Sequence, residues 1–267
     1  MKKILAGLIA VMMSFSLVAC GNGAKGTSER QSDQMTETET KEGTEGDVSS
    51  ESGLYGGAGD EENEASTEFE IPLQEDFVTV EGLSDSYADL ENRSFAYNGT
   101  VFKLGESTLK DLIDGGIPFE EGDLNNKGNN VNSNYETGRY TAEINHYVTM
   151  QFGFINTTGE VKTEEECLLS YVRCYYRYVP QPDYDADMNA EITEGILDAA
   201  KQVCFSCPAT LTKEQLLENN SDGAEQDENN NVNYYIDSEV YMGSSGYHFK
   251  FNKSTNQLEE MSISWLP

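Results

Sequence analysis

The chain is poor in positive charge and in the side chains that most often carry catalysis. It has 17 lysines and arginines against 48 aspartates and glutamates, a formal net charge of -31, and only two histidines. So few cations argue against nucleic acid as a partner, because its binding depends on neutralising phosphates. No Gly-x-Ser-x-Gly, His-Glu-x-x-His or Walker pattern occurs. We therefore expect a protein that is not an enzyme and has no catalytic residue.

A membrane-spanning run is also missing at the start of the chain. The apolar stretch from Ile4 to Val18 is shorter than the roughly 20 residues that a bilayer core requires. It follows Lys2 and Lys3 and ends in small residues. A basic start, a short apolar run and small residues before a cleavage point predict a secretory signal peptide over residues 1–19.

The end of this stretch, Leu17-Val18-Ala19-Cys20, resembles the lipobox of bacterial lipoproteins. In that family the cysteine receives a diacylglyceryl thioether, the signal is cut before it, and the new N-terminus is often acylated. The resemblance implies lipidation at Cys20 and a place on the exported face of the cell membrane. Basic patches are scarce, so we expect the lipid chains themselves to hold the protein there.

Large apolar residues are scarce again between Gly21 and Glu75, where Ser, Thr, Glu, Asp and Gly dominate. Such a segment cannot bury enough surface to offset the entropy of ordering. Residues 20–76 are therefore predicted to be a disordered acidic tether that follows the lipidated cysteine. Order is expected to begin near Phe77.

From residue 77 onward, apolar and polar residues alternate over several stretches. In residues 142–154 the even positions are apolar apart from His146, which predicts a half-buried strand or a hairpin. This parity also puts His146 on the core face, as a structural histidine. The same alternation recurs in residues 168–176, 247–251 and 261–265.

Helices and turns have local signals. Two short helices are expected, each opened by a threonine that can cap it: residues 109–114 after Thr108 and residues 213–218 after Thr212. A third helix is expected over residues 190–203 from the spacing of its apolar residues. Asn98-Gly99 between two apolar runs predicts a tight hairpin.

Several pieces of this pattern occur twice in the same order. The matches are Thr108–Ile113 with Thr212–Leu217, Asn129–Asn132 with Asn230–Asn233, and Phe152–Phe154 with Phe249–Phe251. They predict an α+β fold of two related units, residues 77–180 and 181–267, each a short helix packed on an antiparallel sheet. This element order resembles the tandem architecture of β-lactamase inhibitor proteins. The resemblance implies a fold and no activity.

Four cysteines remain besides Cys20. Cys167 and Cys174 lie seven residues apart in one predicted strand, so their Cα atoms are about 23 Å apart. That distance excludes a disulfide between them, and one zinc ion held by all four cysteines. Three alternatives stay open: a bond from Cys174 to Cys204 or Cys207, a Cys204–Cys207 bond, or free thiols.

An acidic stretch resembles an EF-hand calcium loop, because oxygen-bearing side chains occupy positions 1, 3, 5, 7, 9 and 12. These residues are Asp183, Asp185, Asp187, Asn189, Glu191 and Glu194. Met188 stands where the sharp turn of such a loop requires glycine. We therefore expect no cofactor, with calcium at these residues as the alternative to a plain acidic linker.

Tyrosines and arginines share one parity of the strand over residues 168–176 and continue just past it. They are Tyr171, Arg173, Tyr175 and Arg177, which we call the Tyr–Arg stripe. Tyr and Arg carry much of the binding energy in interfaces and can stack on sugar rings. The alternative is a structural face on which the arginines pair with acids and the tyrosines pack across strands.

These features together predict a lipid-anchored surface lipoprotein whose C-terminal α+β region is a binding or interaction module. Its expected partner is a protein or a glycan at the cell surface, met through the Tyr–Arg stripe. A cell-envelope enzyme and a solute-capture lipoprotein of a transporter are the alternatives. The latter usually needs two large lobes and roughly 300 residues or more.

Overall fold

The structure is a computed structural model that describes Gln74, Phe77 and residues 79–267. The predicted signal peptide, Cys20 and nearly all of the predicted tether lie outside the described residues. No helix in the described part of the chain has both the length and the apolar character needed to span a bilayer.

The described residues form four α-helices, one short 3₁₀ helix (Glu164–Glu166) and twelve strands. The helices are α1 (Leu109–Asp114), α2 (Glu121–Leu124), α3 (Ala186–Ala200) and α4 (Lys213–Asn219). The first six strands are β1 (Ser94–Tyr97), β2 (Thr100–Lys103), β3 (Asn130–Val131), β4 (Tyr140–Glu143), β5 (Val148–Ile155) and β6 (Lys162–Thr163). The last six are β7 (Leu168–Tyr176), β8 (Val203–Cys204), β9 (Glu225–Gln226), β10 (Asn231–Asp237), β11 (Ser244–Phe251) and β12 (Leu258–Ser264).

Seven of these strands make one antiparallel sheet in the order β4-β5-β7-β12-β11-β10-β9. Two small sheets, β2-β1-β8 and β3-β6, complete the described strands. The expected α+β class is thus confirmed. The β1–β2 hairpin turns at Asn98 and Gly99, both with positive φ, as the Asn-Gly signal predicts.

The two short helices begin where their caps predict. Thr108 accepts a hydrogen bond from the backbone of Asp111, and the Asp111 side chain accepts one in return, closing a capping box. Thr212 and Gln215 form the same box at the start of α4. Both helices therefore satisfy N-terminal amides that would otherwise lack partners.

Helices α1 and α4 make equivalent backbone hydrogen bonds, α1 to the residue before β7 and α4 to the segment before β12. The amide of Leu109 donates to the carbonyl of Cys167 just before β7, and the amide of Lys213 donates to Asn256 just before β12. Three-stranded meanders β4-β5-β7 and β10-β11-β12 follow the two helices. Because β7 and β12 are neighbours in the sheet, the meanders meet along their last strands.

The repeat extends to individual registers. Phe152 lies opposite Val172 in the first meander, and Phe249 lies opposite Met261 in the second. Each meander also has a register shift directly beside its phenylalanine, at residues 153–154 and at residues 250–251. The halves thus share element order, docking and bulge position.

The repeated Asn-Asn-Val-Asn sequence does not mark equivalent positions, so this part of the predicted repeat is wrong. Residues 129–132 include β3, which pairs with β6 in a separate two-stranded sheet. Residues 230–233 instead lead into β10 of the large sheet. Asn side chains favour turns and positive φ in any context, as at Asn230, so the match reflects turn chemistry.

One face of the large sheet is packed into an aromatic core. Phe152, Phe154 and Phe249 have no exposed surface, and Phe152 contacts Phe95 and Phe119 edge-on or tilted. Full burial of one such side chain stabilises the fold by about 1.5–3 kcal/mol. Residues from both predicted units join one cluster, and the boundary at residues 180–181 stays a prediction.

The third helix begins four residues earlier than predicted. Asp185 accepts a hydrogen bond from the Met188 amide and caps α3, so the helix covers residues 186–200 instead of 190–203. Its buried side chains include Ile192 and Ile196. Gly195 allows the ring of Tyr147 to pack against the helix backbone, because any β-carbon there would collide with the ring.

The four described cysteines are all free thiols. Of the three alternatives left open by the sequence, the structure therefore has free thiols and neither disulfide. Cys167, Cys174 and Cys207 are buried and Cys204 is half-buried.

Candidate binding surface

The side of the large sheet opposite the core is here called the outer face. Tyr171, Arg173 and Tyr175 lie on it, because the residues between them, Val172 and Cys174, are buried on the core side. Arg177 follows β7 directly. The structure therefore brings the whole Tyr–Arg stripe to one surface, where each of its residues is exposed at least in part.

Strand register arranges the outer face in three rows, with strands about 4.8 Å apart. The charged row is Glu143, Thr149, Tyr175, Glu260 and Lys250. The central row is Gln151, Arg173, Ser262, His248 and Asn233. The glycine row is Gly153, Tyr171, Ser264, Gly246 and Tyr235.

Arg173 stands near the middle of this surface and is already paired. Its guanidinium forms a salt bridge with Glu260 and lies 5.1 Å from the centre of the Tyr175 ring. The hydrogen bond from the guanidinium to Glu260 raises the pKa of Arg173, although burial opposes this. Glu260 is the more buried partner, with 16% of its side chain exposed against 35% for Arg173.

Arg177 is paired as well. Its Nη2 lies 3.0 Å from Glu143 Oε2, and its Nε–H donates to Thr149 Oγ1 at 3.2 Å. The structural alternative for the stripe is therefore realised for both guanidinium groups. A ligand cannot use either charge unless it displaces a glutamate.

Arg139 is a member of this surface that the sequence did not reveal. Its guanidinium carbon lies 4.1 Å from the centre of the Tyr171 ring, a cation–π stack. Gly153 makes room for it, since a β-carbon there would collide with the guanidinium. Arg139 is exposed and forms no ion pair with any other described residue. The sequence alone does not predict this contact, because the pairing of β4, β5 and β7 brings Arg139 and Tyr171 together.

A depression of about 340 Å³ lies beside the stripe, at the Tyr175, Glu260 and Lys250 part of the charged row. Both arginines of the stripe line it, together with tyrosines and a paired lysine. The residues that define it are Arg173, Tyr175, Arg177, Tyr184, Lys250 and Glu260. Lys250 Nζ lies 2.9 Å from Glu259 Oε2, so opposite charges alternate around the rim.

The second half contributes polar and small side chains to the outer face. His248 Nδ1 lies 2.6 Å from Asn233 Oδ1. Burial lowers the pKa of His248, although Glu260 and Asp227 act in the opposite direction. Ser264 and the buried Gly246 lie between Tyr171 and Tyr235 in the glycine row, and Tyr235 is 47% exposed.

The other histidine is not where its parity predicted. His146 lies in the turn between β4 and β5, exposed, with its ring against Tyr147 and Tyr178. The expectation of a core histidine is wrong, because the chain reverses at residues 144–147 and the alternation does not continue through it.

The six residues with calcium-loop spacing span a turn and a helix. Asp185 caps α3, the Asn189 side chain bonds the backbone of Gln181, and Glu191 accepts the Tyr147 hydroxyl at 2.6 Å. Residues from 186 onward are helical, so the alternate positions of the loop pattern point to different sides. An EF-hand wrap is therefore not formed, and the described residues contain no cluster of three or more His, Cys, Asp or Glu side chains suited to a metal.

Comparison with known proteins adds no relative: no family model, curated protein or solved structure matches this chain. The resemblances to lipoproteins and to β-lactamase inhibitor proteins stay predictions. Function has to be argued from the surface itself.

Proposed function

We propose that this protein is a non-catalytic binding module that is tethered to the exported face of the cell membrane through a lipidated Cys20. The outer face of the sheet is its binding surface, and a neutral glycan is its ligand. The observation that carries the proposal is the partly exposed Tyr–Arg surface, on which Arg173, Arg177 and Lys250 each have a glutamate partner.

Charge balance favours an uncharged ligand. Arg173 and Arg177 each have a glutamate partner, and so does Lys250, which leaves Arg139 as the cation of this surface without an ion pair to a described residue. The chain as a whole has a formal net charge of -31 and repels anions at long range. An anionic ligand would have to compete with the glutamates already in place, whereas a neutral ligand leaves each ion pair intact.

The remaining chemistry of the surface suits sugar rings. Tyr171 and Tyr235 stand on β7 and β10 in the glycine row, three strand spacings or roughly 14 Å apart. Ser264 and Gly246 form the low floor between them. Flat aromatic rings can stack on sugar faces, while serine, glutamine and asparagine side chains on the central row supply hydrogen bonds to hydroxyl groups.

A protein partner that grips the β10 end of the sheet is the second candidate. Ile236 follows Tyr235 near the end of β10 and points to the opposite side of the strand, and these two residues are 52% and 47% exposed. Exposed tyrosine beside an apolar residue is typical of interface hot spots. Such a partner would be expected to contact the β10 end of the sheet first.

The ligand is tested with a panel of neutral and anionic oligosaccharides, measured by calorimetry on the full chain and on Tyr171→Ala. Removal of the Tyr171 ring should weaken the binding of a neutral glycan by about tenfold or more, where tenfold is equivalent to about 1.4 kcal/mol. Tyr135→Ala is the matched control, since Tyr135 is 64% exposed and lies outside the three rows. Equal losses in both variants, or binding of anionic glycans alone, would contradict the proposal.

Anchoring is tested separately. Cys20→Ala should move the protein from the membrane fraction to the soluble fraction and abolish incorporation of labelled palmitate, because the acyl chains provide the membrane affinity. A variant that stays membrane-bound would refute the anchor without bearing on the binding surface.

A further inference from the structure

A cavity of about 540 Å³ lies on the core side of the large sheet, away from the outer face. It is partly open to solvent and is bordered by the last turns of α3, the segment over residues 203–209, the inner side of β7 and β12, and the side chains of Gln74 and Phe77. Its principal lining residues are Val148, Cys174, Ile196, Cys204, Cys207 and Met261. The volume falls within the range of roughly 300–1,000 Å³ that small-molecule sites occupy.

The walls of this cavity are neutral as well as apolar. Burial raises the pKa of Cys174 and of Cys207 to about 12 each, and also raises the pKa of Cys204. Protonated thiols behave as small hydrophobic groups. Cys207 Sγ accordingly lies 4.0 Å from the thioether of Met261. The three thiols are therefore mostly protonated near neutral pH and add apolar surface.

One polar group stands out in the lining. Tyr176 borders both this cavity and the depression beside the Tyr–Arg stripe, and its hydroxyl makes no hydrogen bond to another residue in the described part of the chain. Burial raises the pKa of Tyr176 well above its ordinary value, so the hydroxyl keeps its proton and can donate. A ligand that carries one acceptor would satisfy it.

Charge is confined to the edge of the cavity. Lys201 lies there, largely exposed, with its Nζ 3.2 Å from Asp198 Oδ1. This pairing leaves little net attraction for a carboxylate. A charged ligand would lose its hydration inside without gaining a partner.

We propose that this cavity is a second binding site, which takes a small uncharged apolar molecule with a single hydrogen-bond acceptor oriented by Tyr176. A cavity with mainly apolar walls favours an apolar molecule because binding removes apolar surface from water. Apart from Tyr176, the cavity shares no lining residue with the depression on the outer face, so this proposal does not depend on the glycan proposal.

The test uses the full chain with Cys20→Ser, so that the four described cysteines are the only thiols. N-phenyl-1-naphthylamine serves as the fluorescent probe, with 2-decanone, decane and decanoate as competitors. We expect 2-decanone to displace the probe and decanoate to bind at least tenfold more weakly. Decanoate that binds as tightly as 2-decanone would overturn the assignment of a neutral ligand.

Filling the cavity should abolish probe binding. Ala200→Phe projects a ring into the cavity from the last turn of α3, whereas Ala190→Phe places the same ring on an exposed position of the same helix. We expect loss of binding in the first variant only. Equal binding in both variants would show that the probe binds elsewhere and would refute the site.

A readout from the unmodified cavity keeps the proposal testable if Ala200→Phe does not fold. Cys204 lines the cavity and is half-buried, while Cys167 lies outside it. Saturating 2-decanone should slow the alkylation of Cys204 by N-ethylmaleimide at least fivefold and leave Cys167 unchanged. No protection of Cys204 would contradict the proposal.

The role of Tyr176 has its own test. Tyr176→Phe should weaken the binding of 2-decanone about fivefold, which corresponds to the loss of one hydrogen bond, and should leave the binding of decane unchanged. Equal losses for both compounds would mean that the hydroxyl does not orient the ligand, which would refute this part of the proposal.

Discussion

The two halves of the described domain share a scaffold but present different surfaces. Superposing their meanders by register pairs Val172 with Met261 and Cys174 with Ile263 on the inner face. All four side chains are buried and apolar. On the outer face the equivalent pairs are Tyr171 with Glu260, Arg173 with Ser262, and Tyr175 with Ser264.

This difference shows which constraints act on each face. Packing in the shared core tolerates only apolar side chains of fitting volume, so the inner positions remain alike in both halves. The outer positions meet solvent and have diverged into complementary sets. The first half supplies cations and rings, and the second supplies an acid and small residues.

The approximate two-fold symmetry between the two halves also locates the centre of the outer face. In the β7–β12 pairing, Arg173 lies opposite Ser262, its own equivalent, so the two-fold relation passes between them. The salt bridge from Arg173 to Glu260 therefore links the halves near this axis. Binding residues gathered here belong to neither half alone.

The largest expected effect tests the equivalence of the cores. Phe152→Ala and Phe249→Ala each remove a ring with no exposed surface, and each should lower the free energy of unfolding by about 3–5 kcal/mol. Urea denaturation measures both, with Tyr235→Ala as an exposed control. A loss below about 1 kcal/mol in one half would break the comparison.

Two glycines of the outer face should respond differently to alanine. At Gly246 a β-carbon would collide with the backbone carbonyl of Tyr234, which cannot move without disturbing the sheet. At Gly153 it would collide only with the flexible end of Arg139. We expect Gly246→Ala to cost about 2–3 kcal/mol and Gly153→Ala less than about 1 kcal/mol. Thermal melts that rank them in the opposite order would contradict the described packing.

The helix caps provide a smaller and symmetric effect. Thr108→Ala and Thr212→Ala each remove one half of a capping box, and each should cost about 1 kcal/mol. Thr→Ser at either position should retain most of that stability, because serine can accept the same hydrogen bond. Unequal losses would show that only one of the two helices is held by its cap.

The pH dependence of stability should depend on His248. Its folded pKa is lowered by burial, so the unfolded state, with a pKa near 6.5, binds more protons between the two values. The contribution of neutral His248 to the free energy of unfolding is fully present above about pH 6.5, and it decreases as the pH falls toward the folded-state pKa. Chemical denaturation at pH 7.5 and pH 5.5 should show a smaller decrease for His248→Gln than for the unchanged chain. An equal decrease would assign the effect to other groups.

Calcium should give the smallest effect. Added at millimolar concentration, it is expected to leave the melting temperature unchanged, because Asp185 and its neighbours are occupied with capping and helix contacts. A calcium-dependent rise that Asp185→Ala abolishes would overturn this expectation and restore the loop as a site.

Local physics made several features readable from the sequence alone. Thr108 and Thr212 start helices because each can cap its own first turn, and Asn98-Gly99 turns because both residues accept positive φ. The parity of residues 168–176 assigned the Tyr–Arg stripe to one face, since side chains alternate in any strand. None of these requires knowledge of what lies across the sheet.

Tertiary structure decided the features that depend on residues distant in sequence. The early start of α3, the turn at His146, the pairing of Arg173 with Glu260 and the stack of Arg139 on Tyr171 follow from which elements meet. The cavity between α3 and the sheet likewise arises from packing that no single segment encodes. Periodicity reports which side of an element is apolar, whereas partners and cavities are set by how those sides come together.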